Sequence, residues 1–180
     1  GPAQGLMDQA QAELDLVDES VARSDLDGAV AHLSAAIRWL TAAGENRRAA
    51  MVCVRLGEVM ATTMGNVIAG RAWFARARRL VEDEDPCLEQ GWVAVAALGC
   101  DVDDPDRLLT AAELALDLAR RFGDVNLETK ALAKPGAAPI VFSGRRMGGL
   151  VWVDEAACRG RALASWIEFA SRFVGTLPPK

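Results

Sequence analysis

Apolar residues recur at intervals of three and four along almost the whole chain, and this spacing constrains the fold more than any motif does. Leu6, Ala10, Leu14, Val17 and Val21 form one stripe, Val30, Leu33, Ile37 and Leu40 a second, and Val52, Leu56, Val59 and Thr63 a third. The series continues through Val67, Gly70, Phe74, Ala77 and Val81, then Leu88, Trp92, Val95 and Gly99, then Leu109, Ala112, Leu116 and Ala119. Residues three and four apart share one face of an α-helix, so each stripe is the buried side of a helix and not of a strand. Leu163, Trp166, Ile167, Ala170 and Phe173 close the series with the cleanest amphipathic segment, over residues 160–175. Tyr is absent while Ala, Leu, Arg, Glu and Asp dominate, a composition that favours helices over strands. The expected fold class is all-α, with about nine helices.

Helix ends fall between the stripes. Ser24 followed by Asp27 has the form of a capping box ahead of the second helix, Gly44 follows that helix's end, and Asp101, Asp103, Asp104 and Asp106 flank another start. Gly123-Asp124 and Ser143-Gly144 supply two further turns. Short connections of this kind make successive helices antiparallel neighbours. A chain of 180 residues that is 51% apolar buries roughly 70% of its unfolded surface on folding, so a single domain over 3–178 is expected.

Small residues then reveal a repeat. Gly57, Gly99 and Gly136 each stand 17 residues before a bulky apolar residue, Phe74, Leu116 and Val153, and 20 residues before an alanine, Ala77, Ala119 and Ala156. A glycine inside a helix costs about 1 kcal/mol relative to alanine, and close approach of a second helix is the simplest compensation. Each unit is therefore read as a helical hairpin, with boundaries near 3–43, 45–83, 86–123 and 125–158. In the first unit Leu16 stands where the glycine would be, with Leu33 and Ala36 completing the pattern. Leu56-Gly57 with Phe74 and Ala77, and Leu98-Gly99 with Leu116 and Ala119, resemble the tetratricopeptide repeat, in which a small residue of helix A meets an aromatic and an alanine of helix B. The resemblance implies hairpins stacked as a right-handed α-solenoid. It also implies a non-catalytic module that binds a protein or peptide on a concave face made of helix-A positions: Glu13, Met51, Val54, Glu58, Thr62, Val93, Ala96 and Lys130. Within residues 105–157, "LALDLARRFGDVNLETKALA" and "SGRRMGGLVWVDEAA" resemble the helical region of large actinobacterial LuxR-type transcriptional regulators. That second resemblance implies a regulatory segment linked to transcription, while nothing after Arg159 has the form of their DNA-binding domain.

The stretch "AKPGAAPIVFSGRR", residues 133–146, departs from its surroundings. It lacks the lysine-serine pair of a phosphate-binding P-loop. Its reading is a repeat helix in which Pro135 starts the helix or Pro139 kinks it, with Ser143-Gly144 as the turn. An alternative function rests on the same segment, a small-molecule sensor whose pocket near 133–153 is lined by Phe142 and Trp152. Trp39, Trp73, Trp92, Trp152 and Trp166 fall on or beside the apolar stripes and read mostly as packing residues.

Catalytic and metal chemistry find little support. His32 is the only histidine and reads as a packing residue rather than a general base. The acidic runs Glu82 to Asp85 and Asp101 to Asp106 lack EF-hand spacing, so no metal and no cofactor is expected. Arginine pairs at 47-48, 78-79, 120-121 and 145-146 suit solvated helix ends. A net charge of −5 disfavours direct nucleic-acid binding, which relies on positive charge. No apolar run has the length of a membrane helix. Cys53, Cys87, Cys100 and Cys158 are widely spaced, without a secretory leader, and fit a reduced cytoplasmic protein. The last helix, over 160–175, either caps the array or carries a homodimer contact.

Overall fold

A computed structural model of the chain describes residues 1–98, 105–132, 137–142 and 145–153, with four helical positions beyond them, Leu163, Ala164, Ile167 and Ser171. Backbone contacts divide the chain into two compact units, Gly1–Ala131 and Leu132–Lys180, where one domain over 3–178 was the expectation.

The first unit is helical throughout its described residues. α1 spans Pro2–Ala22, α2 Leu26–Ala42, α3 Asn46–Glu58, α4 Val67–Val81, α5 Leu88–Ala97, α6 Pro105–Phe122 and α7 Val125–Leu132. α1 packs on α2, α3 on α4 and α5 on α6, while α2 meets α3 and α4 meets α5. Consecutive helices thus contact in pairs. The stripes are the reason: Leu33, Ile37, Leu40 and Leu56 are wholly buried, with Val17, Cys53, Phe74, Ala77 and Val81 around them. A second cluster joins Val95 of α5, Ala115 and Ala119 of α6 and Leu127 and Ala131 of α7.

Side chains mark the helix starts, with one change from the expected cap. Asp25, not Ser24, caps α2 by accepting a hydrogen bond from the Gly28 amide at 2.9 Å, and Ser24 is the left-handed residue of the turn at φ 60°. Asn66 caps α4 through the Ala69 amide at 3.0 Å. Asp124 caps α7 by accepting from the amides of Asn126 and Leu127, both at 3.0 Å. Each carboxylate or amide oxygen satisfies donors that a helix N-terminus leaves unpaired. Between α3 and α4 the chain passes through one π-helical stretch, Val59–Thr63.

Gly57 does what its repeat position demanded. A Cβ placed there would lie 2.6 Å from Cε1 of Phe74, so the ring of α4 rests directly on the α3 backbone. Among the described residues of α5 and α6, Gly91 is tightly packed, and its added Cβ would meet Leu127 Cδ2 at 2.7 Å and Ala115 Cα at 3.4 Å. Gly99 and Gly136 lie outside the described residues.

The fourth expected hairpin is a correction. α7 ends at Leu132, and Ala137–Phe142 (β1) then pairs antiparallel with Arg145–Val153 (β2). The all-α expectation and the helical reading of 125–158 therefore hold only as far as α7. Pro139 cannot donate to a helix and its ring opposes the helical turn before it. Ile140, Val141 and Phe142, and Val151, Trp152 and Val153 beyond the two-residue separation Ser143-Gly144, have the β-branched and aromatic character of a hairpin. The ladder is irregular between Pro139 and Val141, where β2 runs through Gly148-Gly149. Of the expected helix over 160–175, Leu163, Ala164, Ile167 and Ser171 are helical, and the remaining positions lie outside the described residues. Seven α-helices, against the nine expected, are thus delimited among the described residues.

Candidate functional site

The odd-numbered helices lie side by side. Asp18 of α1 accepts from Arg55 of α3 at 2.8 Å, α3 contacts α5, and Leu127 of α7 rests against Gly91 of α5. Lys130 of α7 reaches Glu58 of α3 at 3.5 Å, and its ammonium stands 5.6 Å from the ring centroid of Trp92 on α5. Three helices thus meet at one polar cluster. Trp92 is held from its other end, because its indole N–H donates to Asp124 at 3.2 Å, the same carboxylate that caps α7. The position of Lys130 therefore follows from the cap: Asp124 fixes both the start of α7 and the ring over which the ammonium sits.

Of the residues expected on a concave face, Glu58 and Lys130 meet and are half-exposed, at 45% and 50% of their side chains. Thr62 is exposed in the π-helical stretch, where its hydroxyl donates to the Glu58 carbonyl at 2.6 Å. Met51 is partly buried. Val54, Val93 and Ala96 belong to the core, so they support this face and do not form its surface. Glu13 turns to α2, where its carboxylate lies 2.7 Å from Nδ1 of His32. His32 is thus a partly buried bridging residue between α1 and α2.

Phe142 and Trp152 stand on the two strands of the β1–β2 hairpin. Trp152 pairs with Ala138 and Phe142 with Arg145, which separates the two aromatics by about four residues, roughly 13 Å of strand. Exposed helical positions Leu163 and Ile167 lie on the stripe read as a cap or dimer contact.

Compared with known proteins, no family model matches the chain, and no curated protein or solved structure is significantly similar to it. What the site can do therefore rests on its own chemistry. Among the described residues no group of three or more His, Cys, Asp or Glu converges as metal ligands would. The Cys53 thiol is pushed up to about 11, because burial opposes its charged form, with a smaller opposing effect from Arg76. Burial raises Cys87 as well. Both thiols are buried and stay protonated near neutrality, the opposite of an activated nucleophile. No helix of the described residues is long and apolar enough to cross a membrane.

One cleft was not foreseen from the sequence. α4, α5 and α6 enclose an open cleft of about 910 Å³. Arg71, Arg78 and Arg107 line it with Glu82, over a floor that includes Phe74, Val93 and Leu114. Its residues come from three stripes, and only the packing of the helices assembles them. The one available signal was the Arg71–Arg78 spacing, two turns of one helix.

Proposed function

We propose that the chain is a non-catalytic protein-interaction module of tetratricopeptide-like type. Its hairpins stack as a right-handed α-solenoid, and its odd-numbered helices present the binding face. The observation that carries this reading is the Glu58, Trp92 and Lys130 cluster, where α3, α5 and α7 contribute to one half-exposed surface. Such a surface recognises a partner by the pattern of its side chains and needs no reacting group. An exposed ion pair of this kind contributes about 0.2–1 kcal/mol to stability, so its charges are available to choose a partner without the fold depending on them. The likeness of residues 105–157 to the helical region of transcriptional regulators suggests regulation of transcription through a protein partner in the cytoplasm.

The test exchanges the two charges, Glu58→Lys with Lys130→Glu, which keeps an ion pair in place while inverting the surface. Affinity capture from native cytoplasm, compared by mass spectrometry, should lose at least one reproducible partner with the exchanged protein. Retention of every partner would overturn the assignment of this face.

A further inference from the structure

We infer that the turn from α3 to α4 is a two-register switch: the extra residue held by the π-helical stretch Val59–Thr63 can pass into the turn, which re-aims Thr62 and Thr63 beside Glu58. The inference rests on the reading of the Glu58 and Lys130 face and gives that face a conformational control. Its test needs no partner, so its failure and the failure of the capture experiment are separate results.

Four turns of the helical unit are built alike, and comparing them exposes the extra residue. Ser24, Gly44, Gly65 and Gly123 each hold the left-handed conformation, at φ 60°, 77°, 68° and 71°. The residue after each donates its amide back to the helix just ended: Asp25 to Ser20, Glu45 to Leu40 and Asp124 to Ala119. Those three bonds span five residues, as in the Schellman form of helix termination. After α3 the Asn66 amide instead reaches the Met60 carbonyl at 2.7 Å, six residues back. Within the stretch the Met64 amide donates to the Val59 carbonyl at 3.0 Å, five residues back where an α-helix has four. One residue is thus inserted into the frame that the other three turns share. Insertions of this π-helical kind collect at functional sites.

The surroundings leave room for a second register. No residue of the stretch is buried, residues 62–68 are all exposed, and a Cβ at Gly65 would meet nothing within 4 Å. Where the stretch tightens to an α-helix, the Gly65 amide replaces that of Asn66 on the Met60 carbonyl, and the closing bond again spans five residues. Met64 then takes the left-handed conformation in place of Gly65. Asn66 keeps its bond to the Ala69 amide, 3.0 Å here, so α4 keeps its start. Ala61 is the residue of the stretch that rests against Gly70 of α4, and only its methyl group has to move there. Left-handed backbone is disfavoured for a residue with a Cβ by a factor of roughly 5–30, so the α register should hold roughly 3–15% of the molecules. An α-helix winds more tightly than a π-helix, so the change rotates Thr62 and Thr63 about the α3 axis relative to Glu58. The Thr62 hydroxyl donates to the Glu58 carbonyl at 2.6 Å, and the Glu58 carboxylate pairs with Lys130. A partner that touches these hydroxyls binds one register better and shifts the population towards it.

The test is nuclear magnetic resonance of the whole isotope-labelled chain. Couplings across hydrogen bonds report which amide bonds the Met60 carbonyl, and saturation-transfer exchange reports the minor register. Wild type should show the coupling from Asn66, with exchange confined to the amides of residues 59–66. Met64→Gly and Gly65→Ala should each raise the ratio of α to π register by roughly 5–30-fold, and the double variant should carry the coupling from position 65 instead. Deletion of Thr63 makes the Asn66 bond span five residues, so exchange should vanish while the melting temperature holds or rises. Helix content by circular dichroism should be unchanged throughout, because the altered positions are exposed. Absence of exchange in the wild type, a double variant that keeps the bond from Asn66 or loses helix content, or exchange that survives the deletion would each overturn the inference.

Discussion

Gly57→Ala is the sharpest test of how the hairpins are held. A methyl group at this position would lie 2.6, 2.9 and 3.1 Å from Cε1, Cδ1 and Cζ of Phe74, so it meets the whole edge of a ring and not the tip of a flexible side chain. Phe74 is only 4% exposed and cannot swing into solvent. Forcing an extra methyl into packed core costs about 1–3 kcal/mol, while alanine in place of a helical glycine returns about 1 kcal/mol. The net expectation is a destabilisation of about 0–2 kcal/mol, which for a unit of this size lowers the melting temperature by up to roughly 6 °C. Gly5→Ala provides the control, because Gly5 lies in α1 with nothing within 4 Å of its added Cβ. That substitution should stabilise by up to about 1 kcal/mol. Urea unfolding followed by circular dichroism measures both. Phe74→Leu should relieve the clash, so the double variant should be more stable than the sum of the two single effects predicts. Equal stabilisation by Gly57→Ala and Gly5→Ala would refute the close-approach argument altogether.

Asp124→Ala removes two amide partners at the start of α7 and the acceptor of the Trp92 indole at once; loss of about 1–2 kcal/mol is expected, with faster hydrogen exchange at Asn126 and Leu127. The Cys53 thiol, raised from 9.0 to about 11, binds its proton more tightly folded than unfolded, so stability is fully present below pH 9.0 and falls as pH rises towards 11. The loss is on the order of 2–3 kcal/mol, and the stability difference between wild type and Cys53→Ala, followed by denaturant unfolding across that range, should shrink or invert correspondingly. Leu33→Ala, at a wholly buried position, should cost about 2–5 kcal/mol, measured by the same unfolding.

Much of the helical unit was legible because its signals are local. Leu33, Ile37 and Leu40 lie on one stripe and are buried together, and the turn after α2 falls where Gly44 placed it. The Gly57 contact with Phe74 was legible too, since a helical glycine demands a neighbour and the sequence spacing indicates which one. In the third hairpin Gly91, which the spacing did not single out, is packed against α6 and α7, while Gly99 lies outside the described residues. Residues 137–153 were misread because the Gly136, Val153 and Ala156 spacing carried the hairpin pattern onward, while the stronger statement came from Pro139 and the β-branched runs on either side of Ser143-Gly144. Glu58 and Lys130 were both placed on one face by their helix-A positions, and they do meet. The placing of Lys130 over the Trp92 ring, the Trp92 bond to Asp124 and the arginine-lined cleft join residues far apart in the chain through packing that no local pattern encodes.

Alanine recurs through the buried interior, at Ala10, Ala29, Ala36, Ala49, Ala50, Ala77, Ala115 and Ala119. With side chains this short, the separation of neighbouring helices is set by backbone against backbone. Mutation at such positions has nowhere to go, since any replacement but glycine adds bulk and levers two helices apart. Sequence drift is therefore funnelled to the outer faces of the helices, which leaves a scaffold whose exterior can change while its internal spacing stays fixed.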